Sequence, residues 1–291
     1  ISGYLQKPLK NKDNNLLLIM VIGWVQLTRA PTRHYYFVNE TVGMMTVVGK
    51  SWFKGVANAV FRKLLVLPLY AHKMYIDNPV IGFSHPKWLL DQLRQDWPDC
   101  WEKIALANNL KPMVWATLLR DIDVDKTMSE HPYIKGAVQL PSIREWPEML
   151  KDKMYIQDIA AQHLKLLLPN IKPQRVLDAC SAPGGKAIIM HQKYPNAQMV
   201  CTDQSQTRLN TLSENFNRLG LKGVRVLEYD WLNSKDSKES YDLILLDAPC
   251  SGGGVIKRHP EKKRHEIDFK RLEKQQLELF SKLWAQLKSG G

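Results

Sequence analysis

The sequence predicts a multidomain chain in three parts: an all-α N-terminal segment, a small α+β middle segment and a C-terminal α/β segment built on a parallel sheet. Three observations predict it. Apolar residues recur at helical spacing through residues 1–72; a mixed pattern opens near residue 85; and from about residue 150 short apolar runs alternate with amphipathic stretches. The boundaries read as 1–72, a linker at 73–84, a middle segment at 85–148 and the α/β segment at 149–291. A chain of 291 residues with 44% hydrophobic content has room for a core in each part.

Taken in order, the run LLLIMVIGWV, Leu16 to Val25, lies behind Lys7, Lys10 and Lys12 but is too short to span a bilayer. It reads as a buried helix of an N-terminal bundle. KSWFKGVANAVFRKLLV follows as an amphipathic helix with Trp52, Val56, Ala59, Val60 and Leu64 near one face. The prolines and the His-Pro of LPLYAHKMYIDNPVIGFSHP mark the linker. HPKWLLDQLRQDWPD then starts a helix with Trp88, Leu89 and Leu93 on one side, opening the middle segment. Beyond it, RVLDAC, AQMVCTD, VRVLEYD and YDLILLD read as strands, with helices from Lys186 and through RLNTLSENFNRLG between them.

The formal charge of +12 is unevenly spread. Residues 1–84 carry ten Lys/Arg against three Asp/Glu, residues 85–148 eight against ten, and residues 149–291 23 against 16. The basic excess at both ends of the chain suits a polyanion, because Lys and Arg contacts to phosphates supply most non-specific nucleic-acid affinity. The four cysteines, at 100, 180, 201 and 250, form no C-x-x-C pair, so neither a structural zinc site nor a disulfide framework is indicated. The expectation is a cytoplasmic monomer with no membrane partner and no metal.

All four strand runs carry an Asp at or near the carboxyl end: Asp178, Asp203, Asp230 and Asp247. In parallel sheets that edge is where ligands bind. After the first strand, CSAPGGK (Cys180, Ser181, Ala182, Pro183, Gly184, Gly185, Lys186) is a glycine-containing turn into a helix. It is no phosphate-binding P-loop, since the first Gly of that motif would fall on Cys180 and its hydroxyl on Ala187; nor is it the dinucleotide G-x-G-x-x-G. Gly184 and Gly185 would let backbone approach a ligand. Asp203, 25 residues after Asp178, stands where a carboxylate accepts both hydroxyls of a ribose, and Asp230 where one could reach or shape an adenine pocket. A cofactor with a ribose and no phosphate fits this set, and S-adenosylmethionine is the obvious candidate. In DAPCSGGG, Asp247 and Cys250 project from a strand end into a loop. That stretch alone suits a turn-forming Asp and a small buried Cys equally well.

LDACSAPGGKA, VCTDQSQTRL, NRLGLKGVRVLEYDW and LILLDAPCSGGGVIKRHPE together resemble the RNA (cytosine-5) methyltransferases, in particular the Fmu/Sun (RsmB) type that modifies small-subunit ribosomal RNA. MYIQDIAAQHL is similar to that family's entry to the catalytic domain, HPKWLLDQLRQDWPDCWEKIALANNLKPMVW to its middle domain, and KGVANAVFRKL to its NusB-like RNA-binding helical domain. The resemblance implies a Rossmann-like catalytic domain, S-adenosylmethionine as cofactor and ribosomal RNA as partner. It implies that Cys180 to Lys186 form the cofactor loop and that Asp203, Asp230 and Asp247 complete the site. Ser181 and Ala187 depart modestly from the family's pattern, as do Lys262 to Arg264, where an aromatic is common.

Carbon-5 of cytosine is a poor nucleophile until a thiolate adds to carbon-6. An acid at ring nitrogen 3 stabilises the adduct, and Asp247 is placed for that role if burial retains its proton. The resemblance implies that Cys250, in Pro-Cys, assists product release, whereas the attacking cysteine belongs to a Thr-Cys motif on the next strand. None of the four cysteines here follows a threonine, so that residue is expected beyond Gly291, and the start without Met is likewise expected of a fragment. KRHPEKKR places Lys257, Arg258, Lys262, Lys263 and Arg264 beside the DAPCS loop, suited to the RNA backbone.

Overall fold

The computed structural model describes residues 1, 3, 5, 7–29, 31–66, 78–119, 128–142, 150–233 and 239–291. Two compact units divide the chain, residues 1–87 and 88–291.

The first unit holds helices α1 (Asn14–Arg29), α2 (His34–Val47) and α3 (Lys54–Val66). Its core joins Leu16, Met20 and Leu27 of α1 to Met45, Phe53, Ala57, Val60, Phe61 and Leu64. The apolar run in α1, read from sequence as a buried helix, is buried on one side: Leu16, Met20 and Leu27, with Ile19 and Trp24 partly buried beside them, meet the core, and Leu18, Val21, Ile22 and Val25 are exposed. The inward face of α3 is the expected one in part: Val60 and Leu64 are buried, but Trp52, just before the helix, is 59% exposed and Val56 and Ala59 are exposed, while Phe53, Ala57 and Phe61 are buried instead. Burying two phenylalanines with Ala57 removes more apolar area from water than burying one tryptophan.

Helices α1 and α2 approach closely at Gly23, where an added Cβ would fall 2.2 Å from Thr41 Oγ1. Thr41 cannot readily give way, because its hydroxyl donates to Phe37 O at 2.7 Å. Gly to Ala in a helix ordinarily stabilises. Here Gly23→Ala is expected to destabilise by about 1–3 kcal/mol through overpacking, read from urea unfolding. Of the expected linker, residues 73–77 lie outside the described residues. A single helical turn, Pro79–Gly82, follows, capped by Asn78, whose side chain accepts from Val80 N.

In the second unit, α4 (Lys87–Asp96) and α5 (Trp101–Asn108) precede strands β1 (Val114–Leu118), β2 (Ser129–Glu130), β3 (Ala137–Leu140) and β4 (Met154–Ile156). These four form an antiparallel sheet in the order β2-β3-β1-β4. Alternation divides its residues by face. Ala116, Leu118, Val138, Leu140 and Met154 make one core, whereas Tyr155 packs into the core of the α/β segment. Gln192 Nε2 donates to Leu118 O at 2.9 Å, so the middle sheet and the α/β segment pack as one body.

The α/β segment consists of β5 (Arg175–Asp178), α6 (Gly185–Lys193), β6 (Gln198–Asp203), α7 (Gln206–Arg218), β7 (Val224–Glu228), β8 (Leu243–Leu245) and α8 (Phe269–Trp284). All four strands are parallel, in the order β7-β6-β5-β8. Neighbouring strand residues point to opposite faces: Val176 joins Ile188, Met190, Leu212 and Phe216 on one side, and Leu177 joins Trp231, Tyr241, Leu279 and Leu283 on the other. This is a Rossmann-like arrangement with apolar layers on both faces of the sheet. The chain builds outward from β5 to β7 and then returns to the free side of β5 as β8, which puts the topological switch between β5 and β8. Asp242 secures that return: its Oδ2 accepts from Gln174 N and Arg175 N, both at 2.8 Å, and its Oδ1 from Lys288 Nζ at 2.7 Å. Among the described residues no helix is long and apolar enough to cross a membrane.

Candidate active site

Beyond the carboxyl ends of the strands, the turn after β5 is held from the side by β6. Ser181 N donates to Thr202 O at 2.9 Å, Thr202 Oγ1 donates to Ala179 O at 2.9 Å, and Trp231 Nε1 donates to Thr202 Oγ1 at 2.8 Å. Ser181 and Ala182 are therefore buried parts of the scaffold, and Pro183 is exposed. On the side where a Cβ would stand, both glycines meet packed side chains. Gly184 has φ +107°, and a Cβ there would meet Leu212 and Phe216 at 3.3 Å; at Gly185 a Cβ would fall 2.9 Å from Gln157 Nε2. Gln157, just past β4, thus seats the middle segment against the start of α6, a contact that spans 28 residues and has no local signature.

Asp178 is fully buried at the end of β5, and neither carboxylate oxygen has a hydrogen-bond partner of good geometry. Burial, with Asp247 and Asp203 adding repulsion, pushes its pKa up to about 8, and Lys186 and the Cys180 backbone N–H offset this only in part. The same surroundings push the Cys180 thiol up to about 12, burial being the largest cause. It is held as a thiol. Lys186, in the first turn of α6, forms an ion pair with Asp247 across the switch point. The Asp247 side chain is 51% exposed, so the burial on which its expected acid role depends is absent. Of the two carboxyls, that of Asp178 is the buried one.

Asp203 is buried at the end of β6; its Oδ1 accepts from Ser205 N at 3.1 Å, and Oδ2, 3.2 Å from Arg208 Nη1, completes no hydrogen bond. Arg208 also donates to Ala182 O and so ties the turn after β5 to the end of β6. The sequence reading missed it; the signal was an Arg three residues after Ser205, the residue that caps α7. Asp230 lies two residues past β7 and behaves as a turn former. It accepts from Leu232 N at 2.9 Å, Asn233 N at 3.2 Å and Asn233 Nδ2 at 2.8 Å, and these bonds, the Asn233 side chain's foremost, lower its pKa. Asp203, Arg208, Asp230, Tyr229 and Trp231 nevertheless line one cleft with Cys180 and Pro249.

The Asp203 carboxylate, paired on one side with Arg208, fits hydroxyl donors such as the ribose of S-adenosylmethionine, and the crowding of Asp178, Asp203 and Asp247 at this edge suits its sulfonium and ammonium charge and disfavours a phosphate. Among the described residues no cluster of three or more His, Cys, Asp or Glu could hold a metal ion.

Cys250 is exposed, Cys201 buried in β6, and Cys100 and Cys180 half-buried. In the basic stretch after the DAPCS loop, Lys263 is a correction to the expected RNA-facing set. It is buried, donates from Nζ to Asn109 Oδ1 at 2.8 Å, and burial lowers its pKa. Arg258 pairs with Asp158 at 3.4 Å, Lys262 lies across Gly252 with Nζ 2.9 Å from where a Cβ would stand, Lys257 is half-buried and Arg264 exposed.

The family described as 16S rRNA methyltransferase RsmB/F matches residues 165–291, and an RsmF/B-like ferredoxin-like domain matches residues 85–118. A probable ribosomal RNA small subunit methyltransferase B from Coxiella burnetii is 33% identical over 313 residues, covering 99% of this chain and 72% of that protein. The ribosomal RNA small subunit methyltransferase B of Klebsiella pneumoniae is 30% identical over 314 residues, covering 100% and 71%. A solved methyltransferase homologue from Pyrococcus horikoshii shares the fold at a TM-score of 0.59 and 24% identity, over 72% of each chain. The chain belongs to the ribosomal RNA small subunit methyltransferase B family.

Proposed function

We propose that this chain takes part in S-adenosylmethionine-dependent methylation of cytosine carbon-5 in small-subunit ribosomal RNA. The observation that carries the proposal is the meeting, at the β5/β8 switch point, of the Asp178–Asp203 carboxyl edge with the Lys186–Asp247 pair and the exposed Cys250 loop. Residues 1–72 act in this reading as a NusB-like RNA-binding domain, 85–148 as the middle domain and 149–291 as the catalytic domain.

S-adenosylmethionine supplies an electrophilic methyl group. Asp203 accepts from its ribose hydroxyls, Asp230 shapes the adenine side of the cleft, and the Asp178 carboxyl faces its positive charge. The target base is presented out of its stack. A cysteine thiolate bonds to carbon-6 while ring nitrogen 3 takes a proton from Lys186, which makes carbon-5 nucleophilic toward the methyl group that the cofactor would supply. After methylation a base removes the carbon-5 proton, the carbon-6–sulfur bond breaks to return the thiolate, and nitrogen 3 gives its proton back to Lys186. The Lys186–Asp247 pair orients the base at nitrogen 3, with Lys186 rather than a buried carboxylic acid carrying the proton. The attacking cysteine is that of a Thr-Cys motif, absent from the 291 residues, and Cys250 assists release. Lys257, Lys262 and Arg264, with Arg258 once freed from Asp158, contact the RNA backbone.

The test follows label from the cofactor methyl group into small-subunit ribosomal RNA. A longer parent carrying the Thr-Cys cysteine is expected to transfer methyl, and its Cys250→Ala variant to accumulate a covalent RNA adduct visible on a denaturing gel. Transfer by the 291-residue chain that is lost on Cys250→Ala would instead make Cys250 the nucleophile, and transfer to no RNA by either protein would overturn the reading.

A further inference from the structure

Four aromatic rings gather at one edge of the middle sheet, outside the site above. His131, just past β2, stands at their centre: its ring lies edge to face with Trp115 of β1 at 5.5 Å, with Tyr133 at 6.1 Å and with His163 at 6.1 Å. Tyr133 is 80% exposed and His163 is exposed, so the group is not a core. The rings are anchored through their surroundings. Tyr133 N donates to His131 Nδ1 at 3.3 Å, and His163 Nδ1 lies 2.9 Å from Ile159 O, to which it donates. Rings already held in place lose little freedom when a ligand stacks on them. Lys165, two residues past His163, donates from Nζ to the backbone oxygen of Lys135, two residues past Tyr133, with the Glu130 carboxylate acting on the same ammonium.

The location ties this edge to the cofactor loop. Gln157 N donates to Trp115 O at 2.9 Å, which pairs the two residues across the sheet and puts their side chains on the same face. The Gln157 amide is also the group seated against Gly185. One face of the middle sheet therefore carries the rings at one end and touches the start of α6 at the other.

We infer that Trp115, His131, Tyr133 and His163 form a ledge on which an unpaired base of the RNA substrate stacks, flanking the nucleotide delivered to the active site. The inference rests on the RNA reading above and names the part of the substrate that this face takes. Bases in a duplex are already stacked on each other, so the ledge selects single-stranded or splayed RNA.

The test compares the 291-residue chain with its Tyr133→Ala/His163→Ala variant, two exposed positions whose loss should leave the unfolding midpoint unchanged. Binding of a short single-stranded RNA, of the matched duplex and of the single strand with abasic sites is measured by fluorescence anisotropy over a range of salt. The variant is expected to bind the single strand about tenfold more weakly, as loss of a base–aromatic stack predicts. Its salt slope should be unchanged, because no phosphate contact is removed. Duplex binding and S-adenosylmethionine affinity should not move, and abasic RNA should weaken the unaltered chain by a similar factor but the variant little further. Equal affinity of the two proteins for the single strand, or equal losses on single strand and duplex, would overturn the ledge and leave the RNA reading standing. Failure of the unaltered chain to bind any RNA would overturn both.

Discussion

Asp203→Ala is expected to weaken S-adenosylmethionine binding by at least tenfold. Asp203 is buried at the end of β6, and its Oδ2 is left without a hydrogen bond although Arg208 stands 3.2 Å away. A charge-assisted hydrogen bond contributes about 1.5–3 kcal/mol, and a ribose offers two hydroxyls to one carboxylate. The substitution also removes the acceptor of Ser205 N and the anion facing Arg208, so the turn after β5 loses one of its ties. Asp230→Ala serves as the comparison: its carboxylate is committed to Leu232 and Asn233, and a smaller loss of affinity is expected. Titration calorimetry on the two variants separates them. Unchanged affinity for Asp203→Ala would remove Asp203 from the site.

The second large effect concerns pH. Asp178 titrates near 8 in the folded chain, against about 3.9 for an unfolded aspartate. Between those values the native state holds a proton that the unfolded chain has released, so stability falls as pH rises, by up to about 1.4 kcal/mol per pH unit. The contribution is fully present below about pH 4 and is lost as pH passes through about 8. Asp178→Asn keeps the shape and removes the titration. In urea unfolding the variant should match the unaltered chain near pH 4 and exceed it by a few kcal/mol near pH 8, while binding the cationic cofactor more weakly there. Parallel stability curves for the two proteins from pH 5 to 8 would show that another group carries the dependence.

The α/β segment was legible because its strands are short apolar runs closed by Asp, and because Gly and Pro break them at once. That pattern alone located Asp178, Asp203, Asp230 and Asp247 along one edge of the sheet. Matters that depend on partners distant in sequence were hidden. Lys263 reads as one cation among five, and only the approach of Asn109, 154 residues earlier, buries it. Asp230 looks equivalent to Asp203 until Asn233 folds back on it. At the start of α3, helical periodicity found Val60 and Leu64 but could not rank Trp52 against Phe53 and Phe61, since the choice is made by what α1 and α2 present. The ring cluster was invisible for a similar reason: Trp115, His131 and His163 converge through strand pairing and not through any local spacing.

The return of β8 to the side of β5 has a consequence in time. Asp242 joins Gln174 and Arg175 across 68 and 67 residues, and Lys288 reaches back over 46 to hold Asp242. A parallel pairing that closes so long a stretch forms late, because its loop entropy is met before its contacts exist. A chain emerging from the ribosome can therefore settle β5, β6 and β7, with the Asp203 edge, before the wall bearing Asp247 and Cys250 has anything to dock against. Pulse-labelling hydrogen exchange during refolding is expected to protect β5, β6 and β7 before β8, so that Lys186 has Asp178 beside it before Asp247 arrives.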